Sequence, residues 1–138
     1  MMTSGSPILA VLDTNVVVSA LISPGVPPAR ILGSVGRKVF VPLYDARIIA
    51  EYRDVLTHPR FGLASADIER FIGQLMNFGW AVEPTAWAGP MADESDHKFI
   101  EVARAVSGKL VTGNQRHFPD EAWVVSPAVF WTMLEDGA

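Results

Sequence analysis

The sequence contains no cysteine. That absence excludes disulfides, thiolate zinc sites and thiol nucleophiles, and it removes any need for an oxidising compartment, so a cytoplasmic location is expected. There is no run of about 20 apolar residues to span a bilayer. The first apolar stretch, "ILAVL", breaks at Asp13, and "MMTSGSP" ahead of it lacks the basic region that opens a signal peptide. No membrane association is expected. An excess of positive charge is missing too: the net charge is −4 and the pI is near 5.2. This argues against a surface that coats nucleic acid generally, because phosphate binding leaves a basic footprint. Acids gathered around a divalent cation would reverse that sign locally. His58, His97 and His117 show no zinc spacing, and no repeat, low-complexity tract or linker interrupts the chain. What is present is an ordinary globular balance, 49% hydrophobic and 19% charged over 138 residues. Residues 1–138 are read as a single domain with residues 1–6 a flexible N-terminus.

The apolar residues fall into short runs separated by helical patterns. "ILAVL" (8–12) is apolar at every position, as in a strand covered on both faces. Similar runs recur at 38–42, 80–84, 109–113 and 123–127. Helices are expected at "PPARILGSVG", at 43–59, at 65–79, at 95–108 and at "PAVFWTMLEDG". In 65–79, Ser65 is the expected N-cap, Ile68, Phe71, Ile72, Leu75 and Met76 form the apolar stripe, and Gly79 closes the helix. In 95–108, Ser95 leads, Phe99, Ile100, Ala103 and Val106 form the stripe, and Gly108 ends it. Strands alternating with helices predict an α/β fold: three layers, αβα, around a central, mainly parallel sheet of about five strands. Residues 85–94 form the one long irregular connection.

Polar residues punctuate this pattern at informative places. Asp13 ends the first strand, and in open α/β sheets ligands sit beyond the carboxyl ends of the strands. A turn or helix N-cap is the bland alternative, since Asp, Thr and Asn all cap well. Tyr44, Ile48, Glu51 and Val55 are spaced so that Glu51 shares the apolar seam of its helix; its alternatives are a rim position or an ion pair with Arg47 or Arg53. Asp96 precedes Phe99 and Ile100 by three and four residues, which turns it toward the sheet, although favourable interaction with the helix dipole would explain any single acid there. "TGNQRHFP" places Thr112, Asn114, Arg116 and His117 beyond another strand, with Asn114 equally suited to a turn. Carboxylates converging without a cation repel and take up protons, whereas Mg²⁺ or Mn²⁺ accepts hard oxygen ligands. Such a site could activate water against a phosphodiester.

In these residues the chain resembles the PIN domain, a family of small metal-dependent nucleases that includes the VapC-like toxins of bacterial toxin–antitoxin pairs. The resemblance covers nearly the whole chain through "VLDTNVVVSAL", "IIAEYRDVLTHPRF", "DESDHKFIEVA" and "LVTGNQRHFP". It implies that Asp13, Glu51 and Asp96 are catalytic acids that bind Mg²⁺ or Mn²⁺. Asn114 stands in a fourth catalytic position where the family usually has Asp, and it brings no charge. Asn15, Thr112 and Asp93 are the implied supporting residues or further ligands. Lys98, Arg116 and His117 are candidates to meet the RNA backbone. The implied activity is hydrolysis of RNA by metal-activated water, with an antitoxin protein as partner and a homodimer as the assembly. Two rivals stand beside it. One is a weak or inactive RNA- or partner-binding module of the same fold, because of Asn114. The other is an aspartyl-phosphate phosphatase, which would need an acid where Asn15 stands. Trp80, Trp87, Trp123 and Trp131 could mark an interface, with burial the default expectation.

Overall fold

The computed structural model of the chain describes residues 7–89 and 94–137; the expected flexible N-terminus and Asp93 lie outside them. Among the described residues, five short strands, β1 (Leu9–Leu12), β2 (Val41–Tyr44), β3 (Trp80–Ala81), β4 (Lys109–Val111) and β5 (Val124–Val125), form one sheet in the order β3-β2-β1-β4-β5. Every neighbouring pair is parallel. Six helices among the described residues flank it in a three-layer αβα arrangement: α1 (Thr14–Ile22), α2 (Pro27–Ser34), α3 (Ala46–Leu56), α4 (Ser65–Phe78), α5 (His97–Ala105) and α6 (Pro127–Gly137). The apolar run after Asn15, to which the sequence pattern assigns no element, is α1. β1 lies at the centre with Ala10, Val11 and Leu12 buried, which is why it reads as continuously apolar. No single helix among the described residues is long and apolar enough to cross a membrane.

The strands are shorter than the apolar runs, and β2 is displaced. A 3₁₀ turn at Val35–Arg37 closes on Lys38 in the left-handed region at φ 61°, so strand pairing starts only at Val41. Pro42 pairs with Ala10 inside β2; it lacks a donor but does not end the strand. The helix expected at 43–59 begins only after Asp45, whose carboxylate accepts the Ile48 N–H at 3.0 Å, because Tyr44 still belongs to β2. Of the four tryptophans only Trp80 is exposed, on the edge strand β3; the others are half-buried.

Helix ends differ from expectation in a consistent way. Ser65 is the first helical residue of α4, not its N-cap, which is Ala64. Met76 is exposed rather than part of the buried stripe. Gly79 follows α4 with an extended backbone, φ −97°, and it is small because a Cβ there would lie 2.3 Å from the Pro42 carbonyl oxygen. After α5 it is Ser107, φ 55°, that takes the left-handed turn, while a Cβ on Gly108 would press on Leu43 at 2.7 Å. Both glycines serve close packing between a helix end and the sheet, not backbone reversal. Ser95 does not cap α5; it lies in a 3₁₀ turn, Glu94–Asp96, and Asp96 occupies the position before the helix.

Candidate active site

β1 sits between β2, reached through α1 and α2, and β4, reached from the edge strand β3 by way of α5. The chain therefore reverses its winding at β1, and the crevice beyond the ends of β1 and β4 is the switch point where open α/β sheets bind ligands. Asp13 and Thr112 are the first residues past these two strands. The Asp13 N–H donates to the Val111 carbonyl at 2.9 Å, which ties the two strand ends together. Asp13 holds the N-cap position of α1, yet its side chain does not cap the helix. Its carboxylate instead accepts the Thr112 hydroxyl at 2.7 Å. The Asn114 N–H in turn donates to the Thr112 oxygen at 2.9 Å, which leaves the hydroxyl proton for Asp13.

Asp13 is 7% exposed, and its carboxyl is raised from the ordinary 3.8 to about 6. Burial is the main cause, the neighbouring carboxylates Asp96 and Glu51 add to it, and hydrogen bonds from Thr112 and the Thr14 N–H offset part. Asp96 and Glu51, from two other segments, thus each lie near enough to act on Asp13. Glu51 comes from α3. It lies at the rim of the buried seam, which is Ile48, Ile49, Tyr52 and Leu56 rather than the expected Tyr44, Ile48, Glu51 and Val55. Its partners are neither Arg47 nor Arg53. The Thr14 hydroxyl donates to one oxygen, and the Lys98 ammonium sits 2.7 Å from the other. Arg47 pairs with Asp45 at 2.7 Å and Glu101 at 2.8 Å, and Arg53 with Glu69 at 3.0 Å. Asp96 is half-buried ahead of α5 and lies within electrostatic reach of Asp13.

The remaining candidates divide. Asn15 approaches from α1, its side-chain oxygen 3.4 Å from the Gly113 N–H. Asn114 contributes its backbone to Thr112, with its residue exposed. Arg116 and His117 lie exposed in a 3₁₀ turn, Gln115–His117. Arg116 opens onto a cleft of about 370 Å³ with Phe118, Asp120 and Glu121, separate from a cleft of about 460 Å³ lined by Glu51, His97 and Lys98. Two contributors escape a reading of the sequence. Thr14 is visible there only as the middle of "DTN". Tyr52 is fully buried in α3 and donates its hydroxyl to the Leu12 carbonyl, one residue before Asp13. Burial, then the charges of Asp13 and Glu51, hold the Tyr52 phenol well above its usual range, so it remains a neutral donor.

Among the described residues, no three or more acidic or histidine side chains are grouped so that they could hold a metal ion. The donor chemistry nevertheless fits a hard divalent ion. Asp13, Glu51 and Asp96 offer only oxygen, and one of them is a buried acid whose charge the protein leaves poorly compensated. Mg²⁺ keeps several waters and needs only one or two direct carboxylates.

Comparison with known proteins agrees with this architecture. The family model described as PIN domain matches residues 9–116. An uncharacterised protein of Methanocaldococcus jannaschii, MJ1680, is 29% identical over 111 residues, spanning 78% of this chain and 72% of that one. The crystal structure of PAE2754 from Pyrobaculum aerophilum superposes with a TM-score of 0.60 at 14% identity, covering 94% of this chain and 90% of that chain, a likeness of fold. The match reaches from the start of β1 into the turn after β4 and so takes in every segment that builds the crevice, and the chain belongs to the PIN domain family, whose members are generally nucleases.

Proposed function

We propose that the protein is a Mg²⁺- or Mn²⁺-dependent endoribonuclease, one catalytic unit over residues 1–138, with Asp13, Glu51 and Asp96 holding the ion. The observation that carries the reading is Asp13: a buried acid at the switch point, raised to about 6 by burial and by two neighbouring carboxylates, is the electrostatic condition that a divalent cation relieves. When bound, the ion supplies a water able to attack at neutral pH and offsets the charge developing on the phosphodiester. The chain's own residues orient the donors. Thr112, itself held by the Asn114 N–H, fixes the Asp13 carboxylate, and Thr14 fixes one oxygen of Glu51. Asn15 supports the turn after β4, and Asn114 fills the fourth catalytic position with an uncharged amide. Lys98, Arg116 and His117 meet the RNA backbone.

On this reading the protein is the toxin of a cytoplasmic toxin–antitoxin pair, a homodimer blocked by its antitoxin. Cleavage of a mixed RNA pool tests the chemistry. Wild type should cut with Mn²⁺ and not in chelator, and Asp96→Asn should not cut in either. Equal cutting by the two proteins would remove the mechanism.

A further inference from the structure

Both oxygens of Glu51 are already engaged. One accepts the Thr14 hydroxyl and the other faces the Lys98 ammonium at 2.7 Å. Lys98 is itself drawn inward: its side chain is 13% exposed, its ammonium also donates to the Ser95 carbonyl, and it lies 5.4 Å from the centre of the Phe99 ring. This is no solvated surface lysine. It crosses from the first turn of α5 to α3 and stands at the carboxylate that the proposed metal site requires.

We infer that the Lys98 ammonium is a displaceable counter-cation of Glu51: it neutralises Glu51 in the ion-free protein, yields to a divalent ion, and on release becomes a ligand for an RNA phosphate. The inference rests on the reading of the crevice as a metal site. An ammonium and a divalent ion cannot share one carboxylate oxygen at close range without strong repulsion. The lysine can yield, because its charge rides on a flexible four-carbon stem with three rotatable donors. The cleft of about 460 Å³ that it lines with Glu51, Ser95 and His97 gives it room to move. Arg47 lines the same cleft but cannot take this part. Its guanidinium is committed to Asp45 and Glu101, and Glu101 also accepts the Trp87 N–H. Against the opposing effect of burial, these donors hold the Glu101 carboxyl below its ordinary range. Of the two cations, only Lys98 is tied to the carboxylate an incoming ion would claim.

The consequence is positive coupling, reciprocal by linkage: the ion frees a phosphate ligand, and bound RNA keeps the lysine away from Glu51. Titration calorimetry of Mn²⁺ alone into wild type and Lys98→Met tests the displacement half. The variant should bind Mn²⁺ roughly three- to tenfold more tightly, the scale of one partly shielded ion pair. Lys98→Gln is the second variant should the first not fold, as judged by thermal melting. Anisotropy of a labelled single-stranded RNA, in chelator and in Ca²⁺ so that binding is read apart from cutting, tests the coupling half. The ion should tighten RNA binding in wild type at least several-fold more than in the variant. Unchanged or weaker Mn²⁺ binding by both variants, with wild type binding normally, overturns the inference and leaves the metal reading standing. Equal gains in RNA affinity overturn the coupling. A wild type that takes up no Mn²⁺ overturns the metal reading and the inference with it.

Discussion

Two of the ion pairs on helix α3, nearly equal in length, mean different things. Glu51 and Lys98 meet at 2.7 Å with their side chains 27% and 13% exposed, whereas Arg53 and Glu69 meet at 3.0 Å with theirs 47% and 57% exposed. Residues two apart on a helix do not share a face. Position 51 therefore turns toward the end of β1, and position 53 toward α4 and solvent. Distance alone does not separate the pairs; surroundings do. The inner pair lies within electrostatic reach of a buried acid and shares a hydrogen-bond network with the ends of β1 and α1. The outer pair is screened by water and salt.

The largest expected effect comes from removing one charge from each pair. Glu51→Gln should lower Mn²⁺-dependent RNA cleavage about a hundredfold or more, since even residues that only support metal ligands cost roughly 10- to 100-fold. Glu69→Gln should leave the rate within about twofold, the expectation for a screened surface charge. Initial rates on one RNA substrate measure both. Comparable losses would mean that the inner position has no special role.

The second effect is on stability and belongs to the crevice alone. Asp13 ionises near 6 when folded and near 3.8 when unfolded. The folded state thus holds the extra proton between those values. The resulting stability is complete below about pH 4 and is lost as the pH rises through 6. The loss by neutral pH is about 3 kcal/mol, because a proton held over each tenfold fall in its concentration is worth about 1.36 kcal/mol. In chelator, urea unfolding of wild type and Asp13→Asn should therefore diverge with rising pH, the variant becoming relatively more stable. Saturating Mn²⁺ should restore the wild type by binding the folded state. A difference between the two proteins that does not vary with pH would show that Asp13 is not strained by its setting.

These contrasts mark where sequence pattern suffices and where it stops. The uninterrupted apolarity of Ala10, Val11 and Leu12 identifies a strand buried on both faces, and Asp13 directly after it marks the strand's end. The buried stripe of Phe99, Ile100 and Ala103 that follows Asp96 is legible from its spacing, because a helical stripe is a local property. For Glu51 the spacing points to the wrong seam: Tyr44 ends β2 and does not share the helix, so a count that starts from it misleads by one step around α3. Lys98 on Glu51, Tyr52 on Leu12 and Thr14 on Glu51 are tertiary pairings between segments far apart in the chain, and no periodicity encodes them. The two glycines at helix ends teach the same point. Their position is local, but their reason, the Pro42 carbonyl against Gly79 and the Leu43 side chain against Gly108, is not.

The smallest expected effect is the sharpest control on the comparison. The outer pair is well formed: Arg53 Nε and Nη2 reach Glu69 at 3.0 and 3.1 Å, and the arginine holds the Glu69 carboxyl below its usual range. Geometry of this quality would suggest a stabilising contact if distance were the criterion. Yet both side chains remain in water in the folded protein, and pinning them costs rotamer freedom that offsets the attraction. Arg53→Ala should accordingly leave the thermal midpoint and the Mn²⁺ affinity unchanged within error, at low and at high salt alike. A drop of several degrees at low salt that vanishes at high salt would show that the exposed pair stabilises the fold after all. Depth would then no longer distinguish the two sides of α3, and the case for Glu51 would rest on its neighbours Thr14 and Asp13 alone.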